Sequence, residues 1–247
     1  MSVEATSPES CMAGDSNSAA AFEDITPTSG PSTARSCLGG LFTHVSPRIL
    51  AALTLGFLIA RIALGNWHAA DLIAPLSLVA IWPLLEWTIH VFLLHWRPIK
   101  LWHWTLDPRV ARKHRQHHVN PSDLTDITID RQVFHFAVPA IVGLFFWLMP
   151  TPALATGALA AFFALSLHYE FCHFMAHTNW CPPLNYYRRR QRMHRLHHHR
   201  DEKLWWGVSM GLGDWIMGTA PDLRSVERSS TVRDVHGLLR QRGESAP

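Results

Sequence analysis

The sequence predicts an all-α integral membrane protein. Four transmembrane helices in two hairpins carry a cytosolic helical cap that holds a histidine-rich dimetal site. Three observations predict it. First, the composition is 48% hydrophobic and only 17% charged, with 11 Trp and 12 Phe. That balance is ordinary for a membrane protein and unusual for a soluble globule. Second, four apolar runs each approach the ~17–20 residues of a minimal membrane span. Third, histidines recur as pair, box, pair, box, a doubled pattern that chance placement does not produce.

Residues 1–40 come first. They are rich in Ser, Ala, Thr, Pro and Glu and poor in large apolar side chains, so they are expected to form a disordered tail. They lack the basic start and apolar run of a secretory signal. Residues 41–224 make the membrane domain, and 225–247 read as a polar C-terminal tail. The apolar runs are 49–64, 69–85, 133–149 and 152–167. Each alone is compatible with a buried core helix. Together, with the short joins 65–68 and Pro150-Thr151-Pro152, they read as two hairpins.

Charge sets the orientation. The two joins carry no Lys or Arg, whereas Arg97, Lys100, Arg109, Arg112, Lys113 and Arg115 lie between the hairpins, and Arg188 to Lys203 follow the second. By the positive-inside rule both termini and both histidine-bearing segments face the cytoplasm. Trp96, Trp102, Trp104, Trp180, Trp205 and Trp206 suit interfacial anchors, although core packing explains each one equally well.

The histidines organise everything else. His114, His117 and His118 form one H-x-x-H-H box; His194, His197 and His198 form another, about 80 residues on, a spacing that suggests an internal repeat. On a helix, positions i, i+3 and i+4 share a face. The pair His173 and His177 also shares a face. His90 and His95 are five apart, about 140° around an ideal helix, so the helix must end or bulge between them to aim both at one centre. Glu86 and Glu170, just upstream of the pairs, are candidates to accept the second N–H of a ligating imidazole. His199 is a candidate support behind the second box. His44, His68, His135 and His236 belong to no cluster.

Ten imidazoles are too many for one metal, which takes roughly four to six ligands. Two metals is the simplest count. Neither Cys nor a paired-carboxylate motif stands in the clusters, which separates the pattern from structural zinc sites and from carboxylate-bridged helical bundles. Imidazole accepts both iron and zinc. The four cysteines, Cys11, Cys37, Cys172 and Cys181, form no C-x-x-C pair, and free thiols are expected. A metal transporter would carry ionisable groups inside its spans, and here only Arg61, Asp71 and His135 occur, near run ends. A zinc-stabilised scaffold with no catalytic role is the other reading outside enzymes. Nothing points to nucleic acid.

At these residues the chain resembles the fatty acid hydroxylase/sterol desaturase superfamily. The carriers are H-x4-H, H-x-x-H-H, H-x3-H and H-x-x-H-H, Asn120-Pro121-Ser122-Asp123, and the Trp205–Thr219 segment W-W-G-V-S-M-G-L-G-D-W-I-M-G-T. Box order and the H-x4-H spacing are nearest the fatty acid 2-hydroxylase branch. That branch's Tyr-Asp before the third cluster is Tyr169-Glu170 here, which makes Tyr169 a further support candidate. The resemblance implies a membrane di-iron oxygenase. Its ligands would be His90, His95, His114, His117, His118, His173, His177, His194, His197 and His198. It would use two iron ions, with zinc an occupant of the protein as isolated, and dioxygen as co-substrate. The substrate would be a membrane lipid, hydroxylated at a fatty acyl-type C–H bond. Sterol or lipid desaturation and carotenoid hydroxylation are the alternatives within the superfamily. No haem-binding domain is expected before the spans, so electrons would come from a separate donor, a ferredoxin or small haem protein with its reductase.

Overall fold

The computed structural model describes residues 30–241 and 243–244; the tail expected over residues 1–29 lies outside them. The fold is mostly helical. Helix α1 (Ala34–Leu41) opens on a capping box in which the Thr33 side chain accepts from the Ser36 N–H. Residues 34–40, expected to belong to a disordered tail, are therefore helical. Cys37 and Leu41, one turn apart, bury themselves against Phe174 and Met175, which holds this helix on the bundle.

Helix α2 (Val45–Leu64), a 3-10 turn (Ala69–Leu72), α3 (Ile73–Thr88) and a π-helical turn (Ile89–Leu94) follow. A short antiparallel hairpin, β1 (Ile99–Leu101) and β2 (Trp104–Leu106), pairs Ile99 with Leu106 and Leu101 with Trp104. It is an exception to the all-α expectation. Helix α4 (Arg109–Val119) carries the first box. Helices α5 (Arg131–Leu148) and α6 (Pro152–Ala176) come next, then α7 (Asn185–His199) with the second box, α8 (Leu212–Met217) and α9 (Leu238–Gln241). Four helical segments are long and apolar enough to cross a membrane: Val45–Leu64, Ala69–Leu94, Arg131–Leu148 and Pro152–Ala176.

Helix α6 is the spine. It packs on α1, α2, α3, α5 and α7, and its most extensive partner is α2, the first span, which is not its sequence neighbour. Small buried residues on α6, Ala155, Ala158 and Ala160, let the helices approach. Leu50, Phe145, Leu159 and Phe163 fill the space between the first, third and fourth spans. The arginine that interrupts the first run is accounted for locally. Arg61 is buried, pairs with Asp71, donates to the Gly65 carbonyl at 2.7 Å and stacks 3.7 Å over the Trp67 ring. The pair closes the join between the first two spans.

Cys37 and Cys172 are buried free thiols as expected, but Cys181 is disulfide-bonded. Cys11 lies outside the described residues. The absence of a C-x-x-C spacing excludes a local pair only, because a disulfide needs Cα atoms close in space and not in sequence.

Tight α2–α6 packing has a testable consequence. Ala158→Leu overpacks that contact, at a cost of about 1–3 kcal/mol. Its thermal unfolding midpoint in detergent should fall below that of wild type, whereas Ala164→Leu, on the exposed side of α6, should match wild type.

Candidate metal centre

The four histidine clusters meet at one end of the bundle. The π-helical turn solves the five-residue spacing of the first pair. The His95 N–H donates to the His90 carbonyl at 3.0 Å, a bond across five residues, and the widened turn brings both rings to one side. His173 lies in the last turn of α6, and His177 caps it. The box-bearing helices α4 and α7 each present their three histidines inward. All ten rings are buried.

Nine of the ten fall into two groups. His90, His95, His114 and His197 form one; His117, His173, His177, His194 and His198 form the other. Within each group one ligand atom per residue lies within 4.8 Å of all the others. Each box is thus divided between the groups, so neither group is built from one half of the repeat. His118 stands between them, its ring centroid 4.1 Å from that of His198 and 4.8 Å from that of His95. Its Nε2 is buried without a hydrogen-bond partner.

The protonation of the four-histidine group can be worked through. His90 Nδ1 lies 2.6 Å from the Trp206 carbonyl and His197 Nδ1 lies 2.8 Å from the Leu204 carbonyl. A carbonyl only accepts, so both Nδ1 atoms carry the proton and both Nε2 atoms present bare lone pairs. Those Nε2 atoms sit 3.1 Å from His114 Nε2 and 3.2 Å from His95 Nε2, respectively, and the last two are 3.1 Å apart. Satisfying the outer contacts puts a proton on both His114 and His95, which then face each other proton to proton. No arrangement of neutral rings satisfies all three contacts. A shared cation does, and imidazole nitrogen is a ligand for such an ion. In the other group, Nε2 atoms meet at 3.1 Å between His117 and His177 and between His194 and His198, and His173 Nε2 has no hydrogen-bond partner. The donor set fits metal ions in both places.

Burial also keeps the rings in the ligating form. It pulls His117 down to about 3 and His197 to about 4 from the usual 6.5. It holds His95, His114, His118, His177, His194 and His198 well below that value, with neighbouring histidines adding to the effect.

The support residues differ from the sequence expectation. Glu86 accepts from the Ser209 N–H at 2.6 Å and from the Ser209 hydroxyl. Glu170 accepts from the Ser46 hydroxyl at 2.6 Å and from the Ile129 N–H at 2.8 Å. Neither carboxylate bonds to an imidazole; each ties a helix to a neighbouring segment. Tyr169 stands 5.9 Å from the His173 ring, centroid to centroid. His199 is buried outside both groups, with Nδ1 3.3 Å from an Arg233 nitrogen. Burial and that arginine lower its pKa to about 3.

Backbone carbonyls orient the imidazoles instead. The Trp206 carbonyl that holds His90 belongs to a loop fixed by Asp214, which accepts from the N–H groups of Trp206 at 2.8 Å and Gly207 at 2.7 Å. Gly213 lets this loop's helix reach α3, since any Cβ there would run into the Pro83 carbonyl. Trp205 and Trp206 are buried, and Trp206 packs on the rings of His90, His95 and His197, so these two are not membrane anchors. Sequence reasoning missed the C-terminal segment altogether. The Val232 carbonyl faces His118 Nδ1 at 3.3 Å, and His236 Nε2 donates to the His95 carbonyl at 2.8 Å. No periodicity or box marks these residues.

A cavity of about 200 Å³ adjoins both groups through His114, His117 and His173. Ile89, Leu93, Leu94, Val110, Ile129 and Val133 give it an apolar lining. One side is polar: Lys113 pairs with Asp126 at 2.8 Å and Asp130 at 3.1 Å, and Arg109 with Asp130 at 2.6 Å.

A family model described as fatty acid hydroxylase matches residues 75–219, a stretch that contains all ten histidines. The chain belongs to the fatty acid hydroxylase family. Among curated proteins it is 28% identical over 160 residues to the dihydroceramide fatty acyl 2-hydroxylase FAH2 of Arabidopsis thaliana, covering 62% of each chain. It is 27% identical over 146 residues to the ceramide very long chain fatty acid hydroxylase SCS7 of Saccharomyces cerevisiae, covering 57% of this chain and 36% of that one. This hydroxylase-family chain therefore spans less than two thirds of the length of either relative. A structure of full-length scs7p, in which only the hydroxylase domain is visible, superposes with a TM-score of 0.60 at 20% identity, over 75% of this chain and 69% of that one. That likeness concerns the fold.

Two outcomes follow from the site geometry. Asp214→Asn weakens the hold on the Trp206 loop, so the purified protein should lose metal to a chelator faster than wild type, measured as the rate of release. Acid should destabilise the metal-stripped protein. Its folded imidazoles stay neutral while those of the unfolded chain protonate below pH 6.5, so their contribution is full above 6.5 and is lost as pH falls toward 4. Each such histidine adds a slope of about 1.4 kcal/mol per pH unit. The unfolding midpoint should be level from pH 8 to 7 and fall steeply from pH 6.5 to 5.

Proposed function

We propose that this chain is a membrane-bound non-haem di-iron hydroxylase acting on a fatty acyl-type lipid. The observation that carries the proposal is the pair of buried all-imidazole groups beside an apolar cavity, in a member of the fatty acid hydroxylase family. In this reading His90, His95, His114 and His197 hold one iron. His117, His173, His177, His194 and His198 hold the other, and His118 between them completes the ten. Two irons, when bound, supply the oxygen-activating redox chemistry needed to place one oxygen atom in an unactivated C–H bond.

The chain's own residues do the rest. The lining from Ile89 to Val133 takes up an acyl chain and excludes water. His114, His117 and His173 bring that cavity to both metal groups. The Trp206 and Leu204 carbonyls keep the protons of His90 and His197 on Nδ1, so that each Nε2 stays a donor to metal. Glu170 and Glu86 hold the helix ends that carry the histidine pairs, and Tyr169 stands beside His173. The domain that does this would run over residues 41–224, with the C-terminal segment clasped onto it. Its four spans would lie as two hairpins, and the positive-inside distribution would put both termini and the site in the cytoplasm, where a soluble electron donor meets it. The curated relatives are named as acyl 2-hydroxylases and very long chain hydroxylases of ceramides, which favours hydroxylation of a sphingolipid acyl chain over desaturation. Metal transport has no comparable support, since the ionisable residues Arg61 and Asp71 pair with each other.

Lipid mass spectrometry on cells expressing wild type beside His197→Ala tests the proposal. A lipid species heavier by one oxygen should be present with wild type and lost in the variant. A species lighter by two hydrogens would make the chain a desaturase. Identical lipids in both, in cells that also express a reductase and donor, would contradict the proposal.

A further inference from the structure

The hairpin of β1 and β2 contributes to neither histidine group, and its surface is largely apolar and open. Every strand residue is exposed, on both faces. Ile99, Leu101 and Leu106 are exposed, Trp104 is 79% exposed and Trp102 is 94% exposed. Trp102 also holds φ at 52°, a left-handed conformation that a bulky aromatic rarely adopts. Its ring lies against that of its neighbour His103, with centroids 4.6 Å apart. Arg97 and Lys100 are the charged residues between Glu86 and Asp107, and Asp107 is paired with Arg115 at 2.7 Å.

Position says what covers this surface. The second span ends at Leu94, five residues before Ile99. An extended chain covers at most about 3.6 Å per residue, so the hairpin lies within about 18 Å of the end of that helix. Phe92 and Leu93, in the last turn of that span, are exposed as well. Trp with flanking Lys and Arg is the composition of the interfacial layer, where the indole sits at headgroup depth and the cation reaches phosphate. A second copy of the chain is the poorer occupant, because a stable interface buries about 800 Å² per partner and a hairpin this short does not supply it.

We propose that residues 99–106 are a membrane-inserting foot. Trp102 and Trp104 enter the boundary between headgroups and acyl chains in the leaflet where the second span ends, while Arg97 and Lys100 lie among the phosphates. The foot holds the metal-bearing end of the bundle against the bilayer, next to Leu93 and Leu94 of the cavity wall. The inference rests on the membrane reading of the four spans and not on hydroxylation.

Site-directed nitroxide labelling tests it in the full chain, reconstituted in vesicles of phosphatidylcholine and phosphatidylglycerol. A ketone-bearing amino acid replaces Trp102 and carries the label, which leaves the cysteines untouched. The same label at Leu58, inside the first span, and at Arg228, on the exposed C-terminal segment, calibrates depth. The expected result is a ratio of oxygen to water-soluble nickel accessibility at position 102 several-fold above that at 228. A ratio equal to that at 228, with 58 reading as embedded, overturns the foot and leaves the spans intact. Exclusion of both reagents at 102 with dipolar broadening overturns it in favour of contact between copies. An aqueous reading at 58 overturns the membrane reading and the foot together.

Discussion

The constraint on which this structure depends is the crowding of neutral imidazole lone pairs in a dry interior. Burial keeps the rings uncharged, carbonyl partners fix the protons of His90 and His197 on Nδ1, and the remaining nitrogens meet at 3.1–3.2 Å with too few protons placed to bridge them. Buried polar atoms without partners are costly. Ten rings arranged this way are unfavourable as a protein core and favourable as a ligand set. The fold is best understood as the framework that forces them together.

That framework is built mainly from backbone. A widened π-helical turn aims His90 and His95, and the Asp214-held loop offers the Trp206 carbonyl to His90. The C-terminal segment brings the Val232 carbonyl to His118 and His236 to the back of His95. Carbonyl partners fix an imidazole tautomer, as carboxylates do, and add no charge to a buried site. The carboxylates near the pairs serve the scaffold: Glu86 ties α3 to Ser209, and Glu170 ties α6 to Ser46 and Ile129.

Much of this was legible in the sequence because histidine spacing and apolar run length are local properties. The i, i+3, i+4 boxes at 114 and 194, the need for a bulge between His90 and His95, and four spans with Arg61 near the end of the first could all be read directly. What could not be read depends on distant contact. The division of each box between the two groups follows from how α4 packs on the π-helical turn and α7 on α6, which spacing does not encode. Trp205 and Trp206 have the composition of interfacial anchors, yet both are buried, Trp205 with Leu196 and Val226 and Trp206 against the imidazoles. His236 stands alone in a polar stretch and acquires its role only when that stretch folds back. Cys181 likewise reads as a free thiol, because no C-x-x-C spacing marks it as oxidised.

The central claim is that the two histidine groups are two metal sites. The most direct measurement is metal analysis by inductively coupled plasma mass spectrometry of the protein purified in mild detergent, set against its quantified concentration. The account predicts two metal ions per chain, with iron predominating in protein prepared from iron-replete cells. One ion per chain, or none, in protein that is folded by its thermal transition would contradict it.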